Sequence, residues 1–165
     1  MHDRLTQADI DKMQEEIDHR KLVVRKQALE DVKEARAQGD LSENFEYYAA
    51  KQFKNQNESR IRYLENMIKT AIIVEDKAKA TEVGLNKKVT IYIEDDEETE
   101  EYKIVTAVRG NSLKGLITPE SPLGAALMGH TVGDRVYVEI NSNFGYYVEI
   151  KAIEIAEEEE DLRKF

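Results

Sequence analysis

"AQGDLSENFEYYAAKQ", residues 37 to 52, joins two long stretches of helical pattern and places a glycine, a serine and two acids, Asp40 and Glu43, at the join. Downstream of it, Tyr47, Ala50, Lys54, Asn57, Ile61, Leu64, Ile68 and Ala71 alternate three- and four-residue steps, the seam of a coiled-coil helix. Upstream, Ile10, Met13, Ile17, Arg20, Val24, Ala28, Val32 and Ala35 form a similar stripe, with consecutive four-residue steps near its middle that locally unwind a supercoil. Neither stretch contains proline, and Gly39 suits the positive-φ position that ends a helix. The pattern predicts an antiparallel helical hairpin over residues 1–75, with arms of about 33 residues and, at about 1.5 Å per residue, a reach of roughly 50 Å. Polar Arg20, Lys54 and Asn57 on the seam favour a fixed register over maximal stability.

Beyond the hairpin the period changes. "KAKATEVGLNKK" (77–88) has no clear period and reads as a linker. "KKVTIYIE" and "EEYKIVTAV" alternate around the acidic loop "EDDEETEE", and "DRVYVEI" and "YYVEIKAIEI" alternate around "NSNFG". "LKGLITPESPLGAALMG" supplies a further strand and a short helix that starts at Ser121-Pro122 and stops at Gly129. Residues 76–165 therefore read as a small α+β domain with a mainly antiparallel sheet. The tail "EEEEDLRKF" carries too many like charges to pack and is expected to fray.

The 165 residues include no cysteine and three histidines, which removes thiol chemistry and makes zinc clusters implausible. No apolar run approaches the roughly 18 residues of a membrane span, and no signal region opens the chain, so a cytoplasmic protein is expected. The net charge is −10. Residues 1–75 carry 13 Lys and Arg against 15 Asp and Glu, whereas residues 76–165 carry 11 against 19. Such a balance argues against strong binding of free DNA, which requires cations to neutralise phosphates. An isomerase pocket is also unexpected, because the second half lacks the aromatic lining one needs.

Asp40 and Glu43 admit a structural reading, since acids three residues apart at a helix start form a capping box, and Ser42 is an alternative cap. They also admit a chemical one. Two carboxylates fall short of magnesium's octahedral oxygen coordination, so they would complete a site whose other ligands come from elsewhere. A thin rod ending in an incomplete cation site suits insertion into another molecule's active site.

The strings "LTQADIDKMQEEID", "ARAQGDLSENFEYYAAKQ", "RIRYLE", "SPLGAALMG" and "GDRVYVEI" resemble the bacterial GreA/GreB transcript cleavage factors across nearly the whole chain. The resemblance implies a coiled coil that enters the secondary channel of RNA polymerase and an FKBP-like domain that docks at the channel's rim. It further implies that Asp40 and Glu43 help hold the second catalytic Mg2+ when a backtracked polymerase hydrolyses its own transcript. The protein would then be no enzyme itself, would bind Mg2+ weakly when free, and would be a monomer. Tyr47 matches the family's tip-proximal tyrosine and also falls on the seam. Ser42 and Asn44 are candidate polar contacts or caps. Arg36, Lys51 and Lys54 are candidate contacts for the phosphates of the RNA 3′ segment, while Ser121 and Pro122 are candidate polymerase contacts. Ala125 and His130 stand where the family commonly has Arg and Lys, which bears on docking by the second domain. A channel-binding inhibitor and a non-catalytic hairpin adaptor remain as alternatives.

Overall fold

The computed structural model describes residues 3–39 and 44–164, and the chain divides into two compact units. One unit contains Ala8–Ala71; the other contains Arg4–Gln7 together with Ile72–Lys164.

The first unit is built from α1 (Gln7–His19), a π-helical turn (Arg20–Val24), α2 (Arg25–Ala37) and α3 (Phe45–Thr70). Facing pairs Arg36 with Tyr47, Arg25 with Glu58, and Glu16 with Arg60 run in opposite order along the two arms, so the arms are antiparallel. Every seam position named from the sequence is buried or half-buried. Met13, Ile17, Ala28, Asn57, Ile61 and Leu64 are the most enclosed of them. The π-helical turn coincides with the first of the consecutive four-residue steps, Arg20 to Val24. One widened turn there absorbs the excess of a four-residue repeat over the helical period and keeps the stripe on the partner.

The polar seam residues form a network instead of a layer of apolar knobs. Arg20 donates through Nη1 to Asn57 Oδ1 at 2.9 Å and through Nε to Glu16 Oε2 at 2.8 Å; buried Arg60 donates to the same Glu16 oxygen at 2.8 Å. Burial pushes the Glu16 carboxyl up, but hydrogen bonds from Arg60 and Arg20 outweigh it and hold the group below the usual glutamate range.

In the second unit, β1 (Arg4–Leu5) pairs in parallel with β2 (Ile72–Ile73), so the strand preceding the hairpin is stitched to the strand following it. The main sheet has the order β5-β4-β3-β7-β6, from β3 (Lys87–Ile93), β4 (Glu98–Ile104), β5 (Leu116–Ile117), β6 (Arg135–Asn141) and β7 (Phe144–Ile155). All its pairings are antiparallel except β4 with β5. Alternation turns Val89, Ile91, Ile93, Val136, Val138, Val148 and Ile150 to one face, where Leu127 of α4 (Pro122–Leu127) closes the core. The α+β expectation, a helical hairpin followed by a mainly antiparallel sheet with a short helix, is the observed class.

Two local expectations are corrected. The segment 77–88 is not a free linker: Val83 and Leu85 lie in the sheet's core, and the Lys87 ammonium reaches the carbonyls of Lys79 and Glu82. Two apolar residues flanking Gly84 carry no periodic signal, which is why the pattern missed them. The acidic tail is not frayed either. Glu160 pairs with buried Lys103, Glu158 accepts from Thr6 Oγ1 at 2.6 Å, and Arg109 donates to the Glu160 carbonyl at 2.5 Å. Two buried cations offset the like charges that argued for fraying.

Candidate functional site

The hairpin's closed end is defined by what flanks residues 40–43. Gln38 caps α2, its N–H bonded to the Ala35 carbonyl at 3.2 Å, and Gly39 follows with φ +124°, a backbone conformation that side-chain-bearing residues avoid. On the returning side Asn44 caps α3: its Oδ1 accepts from the Tyr47 N–H at 3.0 Å. Its Nδ2 donates to the Ala35 carbonyl at 2.6 Å. One amide side chain thus satisfies an orphan donor of one helix and a carbonyl in the last turn of the other. Asp40, Ser42 and Glu43 lie outside the described residues. Asn44, read from the sequence as a polar contact or cap, is the N-cap of α3.

Tyr47 sits on the seam, 9% exposed, as the three-four register requires. Its hydroxyl accepts a long hydrogen bond from Arg36 Nη2 at 3.4 Å, and the guanidinium carbon lies 5.6 Å from the ring centroid. That hydrogen bond, helped by the positive fields of Lys51 and Lys54 and opposed by burial, holds the phenol below its ordinary value. Arg36 thus contacts the Tyr47 hydroxyl directly, and the positive fields of Lys51 and Lys54 reach it. Lys51 is exposed and Lys54 half-buried.

Ser121 and Pro122 belong to the other unit and begin α4. The Ser121 Oγ accepts from the Gly124 N–H at 3.1 Å and donates to the Thr118 carbonyl at 2.7 Å, while Pro122 fills the first helical turn. A Cβ on Gly124 would stand 1.9 Å from that same carbonyl, so this glycine is required by close approach.

Among the described residues no group of three or more His, Cys, Asp or Glu side chains is placed to hold a metal ion. Asp40 and Glu43 carry the hard carboxylate oxygens that magnesium prefers, and as a donor set they fit a shared ion better than a resident one. No described helix is long and apolar enough to cross a membrane. The sequence reading missed Glu16 and Arg60 as the hub of the seam network; the spacing of Glu16 to Arg20 was the available signal.

Residues 4–73 match the family model described as "Transcription elongation factor, N-terminal", and residues 77–155 match "Transcription elongation factor, GreA/GreB, C-term". The transcription elongation factor GreA of Mesoplasma florum is 41% identical over 150 residues, covering 90% of this chain and 96% of that protein. GreA of Geobacillus kaustophilus is 43% identical over 136 residues, with 82% and 86% covered. Among solved structures, GreA factor homolog 1 of Thermus thermophilus is 24% identical with a TM-score of 0.43, covering 93% of this chain and 99% of its own.

Proposed function

The chain belongs to the GreA/GreB family of transcription elongation factors, and on that premise we propose that it inserts the closed end of its hairpin into the secondary channel of RNA polymerase and stimulates hydrolysis of backtracked nascent RNA. The hydrolysis is the polymerase's own; this protein is an activator of it. The observation that carries the reading is the position of the reversal: α2 ends at Ala37 and the α3 cap is Asn44, so both carboxylates fall in the short connection between the arms. Asp40 and Glu43 would hold the second Mg2+ of the polymerase site, an ion that stabilises charge developing on the phosphodiester oxygens. Arg36, Lys51 and Lys54 would attract the phosphates of the displaced RNA 3′ segment, and Tyr47 would present its Arg36-bound hydroxyl beside them. Residues 1–75 would carry the chemistry, and residues 76–165, with their acidic excess, would dock on polymerase protein away from nucleic acid. A monomer working in the cytoplasm fits this role.

The test is a stalled, backtracked elongation complex with labelled transcript and Mg2+, incubated with the full chain. Internal shortening of the transcript is expected, with release of a 3′ fragment. Inhibition of elongation without shortening would assign the chain to channel-blocking regulators.

A further inference from the structure

The seam of the first arm carries one residue too many. Met13, Arg20, Ala28 and Ala35 all lie on it, and a heptad separates each from the next except for Arg20 and Ala28, which stand one residue further apart. A heptad repeat absorbs such a surplus either locally, as a π-turn, or spread over the following turns by unwinding the supercoil. The hairpin takes the local route. Its π-helical turn, Arg20–Val24, is closed by the Arg25 N–H bonding back to the Arg20 carbonyl. Across the seam stands Asn57, 2% exposed. Its Oδ1 accepts from Arg20 Nη1 at 2.9 Å, and its Nδ2 donates a long hydrogen bond, 3.4 Å, to that same Arg20 carbonyl. One side chain of α3 thus engages both the side chain and the backbone of the residue that opens the turn. Leu22 and Val23, inside the turn, are 75% and 54% exposed, so the surplus is carried in solvent and not in the core.

We propose that Asn57 is a positioning residue: by pinning the surplus in the turn Arg20–Val24 it fixes the rotation of α2 on α3, and through it the placement of the connection that bears Asp40 and Glu43. One residue corresponds to about 100° of helix rotation. Confined to the π-turn, that angle is spent before Arg25, which donates from Nε and Nη2 to the two Glu58 oxygens at 2.7 and 2.8 Å. Spread along the arm, part of it reaches the last turn of α2, where the Ala35 carbonyl holds the Asn44 amide. Packing resists such a spread only weakly. The buried residues of α2 are Ala28 and Ala35, whose small side chains remove little apolar area from water, whereas Met13, Ile17, Ile61 and Leu64 fix the seam on the far side of the turn. A buried polar contact discriminates where small apolar residues do not, because a displaced turn would leave the enclosed Asn57 amide without its partners.

The inference rests on the function proposed above. The experiment follows transcript shortening by the full chain in a stalled, backtracked complex, reading the rate at saturating factor separately from the half-saturating concentration. Asn57→Leu is expected to lower the saturating rate by about tenfold to a hundredfold, with the half-saturating concentration changed by less than about threefold. Because leucine also meets Glu16 and Arg60, Arg20→Met serves as a second variant that keeps Asn57 and the Arg60–Glu16 bond, and it should lower the rate in the same way. Deleting Leu22 removes the surplus residue, so no turn remains to be pinned. In the Asn57→Leu background this deletion should restore the rate to within about threefold of wild type, which a merely stabilising role for Asn57 does not predict. Spin labels on cysteines introduced by Leu29→Cys and Phe53→Cys, both exposed positions in a chain without native cysteine, report the register directly. Their distance distribution should broaden with Asn57→Leu and narrow again with the deletion. A wild-type rate in Asn57→Leu, or a loss that the deletion does not restore, overturns the positioning role and leaves the elongation-factor reading intact. Absence of cleavage by the wild-type chain overturns that reading; the register assignment is then decided by the label distances, and a distribution unchanged by Asn57→Leu overturns it.

Discussion

Asn44 and Ala35 join the two arms of the hairpin: the Asn44 amide donates to the Ala35 carbonyl at 2.6 Å while its oxygen caps α3. The two halves of this contact separate by mutation. Asn44→Asp keeps the capping oxygen and loses the donor, whereas Asn44→Ala loses both. The alanine variant is expected to cost about 1–2 kcal/mol in urea unfolding, with aspartate falling between it and wild type. Equal stability of all three would show that the bridge contributes nothing.

Since Asn44 is the cap, Asp40→Ala and Glu43→Ala should leave folding within about 0.5 kcal/mol of wild type. Each should abolish stimulated cleavage while polymerase affinity stays nearly unchanged, because a lost metal ligand raises the barrier without removing docking contacts. The readouts are transcript shortening and a binding titration on the same preparations. Normal cleavage by either variant would remove that residue from the chemistry.

The Glu160 carboxyl is pushed up by burial but held below its usual range chiefly by the hydrogen bond from Lys103. Its folded-state value lies below its unfolded one, so its stabilising contribution is complete above the ordinary glutamate range and disappears as pH falls through the depressed value. Glu160→Gln should cost about 1–3 kcal/mol at pH 7 and progressively less below about pH 4. Thermal unfolding at both pH values tests this, and amide exchange around Val105–Arg109 should quicken when residues 157–165 are deleted. An unchanged exchange pattern would mean the tail does not protect that region.

Glu16 obeys the same sign, since its carboxyl is held low by Arg60 and Arg20. Glu16→Gln should destabilise the hairpin by about 1–3 kcal/mol at neutral pH, and the difference should shrink in acid. Double-mutant cycles of Glu16→Gln with Arg60→Met should show coupling, because both changes act on one network. Strict additivity would argue against the shared carboxylate.

What residues 1–75 determine on their own is the hairpin. Its seam is a periodic signal, repeated from Ile10 to Ala35 and from Tyr47 to Ala71, and periodicity survives without knowledge of the partner helix. The alternating strands and the Ser121-Pro122 helix start were legible for the same reason: each is a local rule about backbone geometry. Asp40 and Glu43 stand out by residue type and spacing as a cap or an incomplete cation site, and they lie outside the described residues. Other features depended on groups far apart in the chain. The docking of Glu160 on Lys103, the pairing of Arg4–Leu5 with Ile72–Ile73, the entry of Val83 and Leu85 into the core, and the sharing of Glu16 between Arg20 and Arg60 involve residues whose partners no local pattern identifies. The tail shows why. Four consecutive glutamates repel one another in the extended chain, and only folding brings Lys103 and Arg109 to where they reverse the sign of that energy. The same holds for Tyr137 and Tyr147, ordinary alternating strand residues until the β6–β7 register sets their rings edge to face beside Gly145.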